Sequence, residues 1–253
     1  KRGYKAPKEK EVKDDAVEDV MIDEKDSATA EVFSKLDETA SKTEDWVAKN
    51  QKIIIGVVGA ITLVTVGYFA YQKFIATPKE DDAANEMFVA QSNFEQATNG
   101  VASDSLYKLA LNGSEGKFGF VKIADEYSGT AAGNLANYYA GIAYLNIGKY
   151  DEAIASLGKF SSKDIMLSAL AKGAIGDAYS QKNQPKEALE YYIKAAETSK
   201  NDFTTPRFLM KAGKVALALK NNADALKYFT DIKENYENSS EAATVDGLIG
   251  LAQ

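Results

Sequence analysis

Hydrophobic and polar positions fall into three regimes along this chain. Residues 53–72, IIIGVVGAITLVTVGYFAYQ, carry no charge. At a helical rise of ~1.5 Å per residue, about 20 residues cover the ~30 Å hydrocarbon core of a bilayer. The run therefore predicts one membrane-spanning helix over residues 53–73, because a core helix of a soluble domain is shorter and keeps a polar stripe. With 52 residues ahead of it, the run lies too far along the chain for a cleaved signal segment.

The second regime precedes the apolar run. Residues 1–27 alternate Lys, Glu and Asp with few large apolar side chains, too few to offset chain entropy, so a disordered charged arm is expected. Over residues 28–52, Val32, Phe33, Leu36, Ala40, Thr43, Trp46 and Val47 recur at three- and four-residue steps. That period predicts an amphipathic juxtamembrane helix, with Trp46 at headgroup level. Such a helix either rests on the lipid surface or docks a cytoplasmic partner. Lys42, Lys49 and Lys52 before the span outnumber Lys73 and Lys79 after it, which favours a cytoplasmic N-terminus. Within the span, Gly56 and Ala60 lie four apart and Gly59 and Gly67 eight apart, a spacing that lets a second membrane helix approach.

The third regime is repetitive. AGIAYLNIGKYDEAIASLGKF (140–160) matches IGDAYSQKNQPKEALEYYIKA (175–195), placing Gly141, Tyr144, Ala153 and Leu157 over Gly176, Tyr179, Ala188 and Tyr192. A further shift reaches Gly213, Ala216, Ala225 and Phe229 in AGKVALALKNNADALKYFTDI (212–232). A period near 34 residues with small residues at set places resembles the tetratricopeptide repeat, in which paired antiparallel helices stack into a solenoid. The turns IGKYDE, KNQPKE and KNNADA punctuate the pairs, and Pro185 suits a first helical turn. FGFVKIADEY (118–127) reads as the second helix of a preceding repeat, and residues from 233 onward as the end of the third repeat and a closing helix. AANEMFVAQSNFEQAT (83–98) predicts a helix, 99–117 a broken connection around SLYKLAL, and TPKEDD the end of a linker over 74–82. The expected fold class is all-α: a single N-terminal transmembrane helix followed by a tetratricopeptide-repeat domain over 83–253.

Composition removes most chemistry. The chain has no cysteine and no histidine, so thiol nucleophiles, thiolate metal sites and the usual general base are absent. A net charge of −7 argues against broad phosphate contacts with nucleic acid. Catalysis would need carboxylates such as Asp125 and Glu126 converging with Asp151 or Glu152. These lie at helix ends and turns, where acidic residues cap helices. No enzyme activity, cofactor or metal is expected.

Taken together, Trp46 before Lys49 and Asn50, the Gly-rich span, the AANEMFVAQSNFEQA helix, the repeats and ALNGSEGKFGFVKIADEYSGTAAGNLANYYAGIAYLNIG (110–148) resemble the YfgM-like family of bacterial inner-membrane proteins, in its Bacteroidetes form. The resemblance implies an ancillary subunit of the Sec translocon. Its repeats would be periplasmic, and its partners SecYEG, a PpiD-like peptidyl-prolyl isomerase and emerging unfolded secretory chains. The other reading is an adaptor with cytoplasm-facing repeats that recruits chaperones or a regulatory protein.

Such arrays bind partners on the face made by the first helix of each pair. Registering the three repeats puts Leu135, Tyr138, Ile142, Leu145 and Asn146 on that face, then Leu170, Asp177 and Gln181, then Arg207, Met210, Lys214 and Leu217. This groove is mixed. Only Asn146, Arg207 and Lys214 suit a clamp for a C-terminal carboxylate, and an apolar groove suits a helix or an extended unfolded segment.

Overall fold

A computed structural model describes residues 28–100, 103–198 and 200–253; the disorder expected for 1–27 lies outside them. The chain divides after Gly67 into two compact units. Helix α1, Ala28–Tyr71, runs without interruption through the amphipathic and the apolar stretches, so no structural break marks the boundary expected at residue 52. Glu31–Lys35 and Glu38–Lys42 pairs at 2.7 Å support its polar part at the i,i+4 spacing that favours helices. In the apolar part the Thr62 and Thr65 hydroxyls donate to the carbonyls of Val58 and Ile61, so neither hydroxyl needs water. Among the described residues this is the one helix long and apolar enough to cross a membrane, with a mean hydropathy of 2.3 over its most apolar window.

The second unit begins with a correction. Where a linker was expected over 74–82, a π-helical turn, Gln72–Ala76, leads directly into α2, Thr77–Asn99. The Thr77 amide donates to the Gln72 carbonyl across this turn. Pro78 cannot donate and would crowd the carbonyl four residues back, and a wider turn at that point relieves the crowding. Proline and Glu80 in the first turn of α2 are ordinary helix-start residues; read only for polarity, they look like a linker.

After α2 come α3 (Asp104–Asn112), a two-residue hairpin of β1 (Gly113–Ser114) and β2 (Lys117–Phe118), and α4 (Phe120–Glu126). The hairpin lies in the expected broken connection. The helix expected over 118–127 is confined to the seven residues of α4. Phe94 of α2 sits edge-on to Tyr107, Phe120 and Tyr139, and Phe120 stacks on Tyr139 at 5.2 Å. These rings knit α2, α3 and α4 to α5.

Six helices then form three antiparallel pairs: α5 (Ala131–Asn146) with α6 (Tyr150–Lys159), α7 (Ile165–Gln181) with α8 (Pro185–Thr198), and α9 (Thr204–Ala218) with α10 (Asn222–Asn235). Helix α11, Ala242–Ala252, packs on α10. Each pair turns in the same way. Gly148, Asn183 and Lys220 adopt positive φ of 75°, 57° and 60°. The next amide, at Lys149, Gln184 and Asn221, donates back to Tyr144, Tyr179 and Ala216 at 2.9 Å in all three. This left-handed helix end satisfies carbonyls that the helix leaves unpaired. The glycines aligned in the sequence provide the close approach. A Cβ on Gly141 would lie 2.4 Å from Leu157, and one on Gly176 2.7 Å from Tyr192.

Candidate partner-binding groove

The first helices α5, α7 and α9 lie side by side, and a depression of about 520 Å³ opens between them. Leu145, Asn146, Asp177 and Gln181, all expected in the groove, line it together with Tyr150, Ser180, Tyr192 and Lys211. Asp177 organises its floor. Its Oδ1 accepts from the Tyr192 hydroxyl at 2.7 Å and from the Lys211 ammonium at 2.5 Å, and Lys211 also approaches the Tyr192 ring at 5.5 Å. Burial first, and then the bond to Asp177, push the Tyr192 phenol far above its usual value. The tyrosine therefore stays a neutral donor. The Asp177–Lys211 pair is two-thirds covered, and it holds neighbouring repeats together across the groove.

The remaining predicted residues divide. Tyr138 packs on Phe160 at 5.2 Å between ring centres. Its phenol is raised by burial and by Tyr139, against the charge of Arg207, which brings this α5 residue and the α9 guanidinium into one region. Ile142 and Leu145 are half-buried against the core of the first two pairs, and Leu135 is half-buried against the α2–α5 core. Asn146 is exposed, with its amide donating to the Ile142 carbonyl. Arg207, Lys214 and Gln181 are exposed, and neither Arg207 nor Lys214 has an ion-pair partner among the described residues.

Met210 is a correction. It is 7% exposed and belongs to the core of the last two pairs, against which Leu170 and Leu217 also pack, half-buried. Helix α9 is covered by α7, α8, α10 and α11, so its buried face is broad and includes Phe208, Leu209, Met210, Ala212 and Gly213. What remains on the outer face is the stripe Arg207, Lys211 and Lys214, at the i, i+4, i+7 spacing of one helix face, with Arg207 and Lys214 exposed and Lys211 partly covered in its pair with Asp177. Lys211 was legible as the missing member of that stripe. Tyr192 comes from a second helix and gave no such signal.

The carboxylates considered for catalysis are occupied in ion pairs or exposed. Asp151 pairs with Lys182, Glu152 lies 3.8 Å from Lys149, and Asp125 and Glu126 are exposed. A larger cavity of about 980 Å³ lies between the second helices α8 and α10, over Leu209 of α9. No expected groove residue lines it. Along the apolar helix, a Cβ at Gly56, Gly59 or Gly67 would meet open space.

Family models of the tetratricopeptide repeat match residues 135–164, 169–202 and 208–239. Each match falls on one helix pair. No curated protein matches the chain. Residues 135–239 are thus three consecutive tetratricopeptide repeats, a scaffold for protein–protein interaction.

Proposed function

We propose that this protein is a non-enzymatic scaffold, anchored by residues 53–73, whose repeats stand on the periplasmic side of a bacterial inner membrane beside the Sec translocon. In this reading the groove binds a PpiD-like isomerase or chaperone and, in passing, segments of emerging secretory chains, while SecYEG contacts the membrane helix at Gly56, Gly59, Ala60 and Gly67. The observation that carries it is the depression shared by three first helices. Leu145, Asn146, Asp177, Gln181 and Lys211 converge there, on the face with which such arrays take protein segments. The lysine excess before the apolar run supports the orientation, and the resemblance to YfgM-like proteins supports the partners. Tethering raises the effective concentration of the groove at the translocon exit, so weak contacts suffice.

Photo-crosslinking in cells from positions Tyr138, Gln181 and Ala60, with products identified by mass spectrometry, tests this reading. Adducts with translocon subunits from Ala60 and with a periplasmic isomerase from Tyr138 or Gln181 are expected. Adducts with cytosolic proteins alone would reverse the orientation and make the protein an adaptor for cytoplasmic chaperones.

A further inference from the structure

The chain as a whole carries a net charge of −7, yet the charge left uncompensated at the groove is positive. Asp177 is the one acid at the register positions of this face, and it is taken by Lys211. Arg207 and Lys214 of α9 are exposed and have no ion-pair partner among the described residues. The neighbouring acids are engaged or stand outside the groove helices. Asp164 caps α7 through the amides of Met166 and Leu167, and Asp246 pairs with Lys233. Asp202 lies in the turn before α9 and makes no ion pair with Arg207.

Helix α11 continues the same face. Gly250 of α11 follows Gly213 by 37 residues, as Gly213 follows Gly176. Helix α11 packs on α10 and touches α9, as α9 packs on α8 and touches α7, so it takes the place of a fourth first helix. The register sets Thr244, Gly247 and Leu251 beside Arg207, Met210 and Lys214, and none of the three is acidic. A Cβ on Gly247 would meet open space, and Leu251 is 69% exposed. On the other side of α9, Arg207 is close enough to Tyr138 of α5 for its charge to act on that phenol. The two free cations thus lie between apolar side chains of α5, Tyr138 and Leu145, and of α11, Leu251.

We propose that the groove selects an extended acidic segment of a partner protein: two carboxylates meet Arg207 and Lys214, and apolar side chains beside them rest on Tyr138, Leu145 and Leu251. The spacing fits. Arg207 and Lys214 are two turns, about 10.5 Å, apart along α9. In a polyproline-type chain, side chains three residues apart share a face and lie about 9.3 Å from each other. A segment of the form acid–x–x–acid therefore engages both cations. Such a chain has no internal hydrogen bonds, so its backbone amides and carbonyls pair with Gln181 and Asn146, which line the depression. A nucleic acid is a poorer occupant, because the negative remainder of the surface repels a polyanion, whereas a short segment meets only the groove. The inference rests on the reading that this groove is the partner-binding face.

Three fluorescein-labelled peptides test it: one with Glu-Pro-Ala-Glu at its centre and leucines on either side, and its counterparts with Gln-Pro-Ala-Gln and Lys-Pro-Ala-Lys. Their binding to the full-length protein in detergent is followed by anisotropy, and a photo-crosslinking residue at position 181 reports where they lie. The Glu peptide is expected to bind, to crosslink from 181 and to weaken as salt is raised. The Gln peptide, and the Glu peptide on the Arg207→Gln, Lys214→Gln double variant, should each bind about tenfold more weakly. Lys227→Gln, beside the cavity over the second helices, should change nothing, and the Arg207→Glu, Lys214→Glu variant should prefer the Lys peptide. Equal binding of the Glu and Gln peptides, with crosslinks from 181, would overturn the acidic selectivity and leave the groove as the binding face. Binding of the Glu peptide that ignores Arg207 and Lys214 and gives no crosslink from 181 would overturn both. Displacement of the peptide by inorganic phosphate at constant ionic strength would make the two cations a phosphate site and overturn the segment. Failure of the Glu peptide to bind would overturn the inference, with the groove still judged by the crosslinks formed in cells.

Discussion

Gly213 and Phe229 occupy one shared space: a Cβ built on Gly213 of α9 would lie 2.3 Å from Cε1 of Phe229 on α10. The third helix pair closes only because that position has no side chain. Phe229 is fully buried by the approach. The same relation holds in the first two pairs, with Leu157 and Tyr192 as the large partners, so the repeat is at root a repeat of one steric fit.

Gly213→Ala is therefore expected to destabilise the array by about 1–3 kcal/mol, the usual cost of overpacking a filled core. Gly158→Ala in α6, where a Cβ would meet nothing within 4 Å, gains up to about 1 kcal/mol from helix propensity. Urea unfolding of the two full-length variants in detergent measures both. Equal effects of the same sign would refute the steric account.

Glu80→Ala removes two charge-assisted bonds to the amides of Ala131 and Ala132. The expected cost is roughly 1–2 kcal/mol, as for loss of a helix cap. Hydrogen exchange should accelerate at residues 131 and 132 and stay unchanged at Ala188, whose amide bonds to the Gln184 carbonyl. Unchanged exchange at 131 and 132 would mean that α2 is not clasped to α5.

Tyr192 sets an alkaline limit. Its phenol is held above the usual 10.0 in the folded protein, chiefly by burial and then by Asp177. Below about pH 10 both folded and unfolded chains keep the proton, so the contribution is fully present. Above it the unfolded chain ionises first, and stability falls by up to about 1.4 kcal/mol per pH unit for each such phenol. Tyr138, Tyr144 and Tyr228 are raised in the same direction, so Tyr192→Phe should make the decline shallower without abolishing it. Denaturant titrations between pH 9 and 11 measure the slope, and an unchanged slope would remove Tyr192 as a contributor.

Arg207→Glu and Lys214→Glu alter exposed side chains with no ion-pair partner among the described residues. Stability should change by no more than about 0.5 kcal/mol. If the groove is the binding face, the yield of photo-adducts from position 181 should drop in both variants. Undiminished yield with intact folding would move the binding face elsewhere.

Sequence by itself determined the apolar helix, because twenty uncharged residues in a row have few other stable uses. It also determined the helix pairs, because Gly141, Gly176 and Gly213 recur with their large partners at a fixed spacing. The tertiary structure decided what surrounds each helix. Met210 and Arg207 both belong to the first helix of one repeat, yet one is core and the other exposed, since four neighbouring helices cover α9. Likewise, TPKEDD is polar enough for a linker, and it becomes helix because Glu80 finds the unpaired amides of α5, 51 and 52 residues further on. Periodicity records which face of a helix is apolar. It does not record how many neighbours will cover that helix, or which distant backbone groups will need a partner.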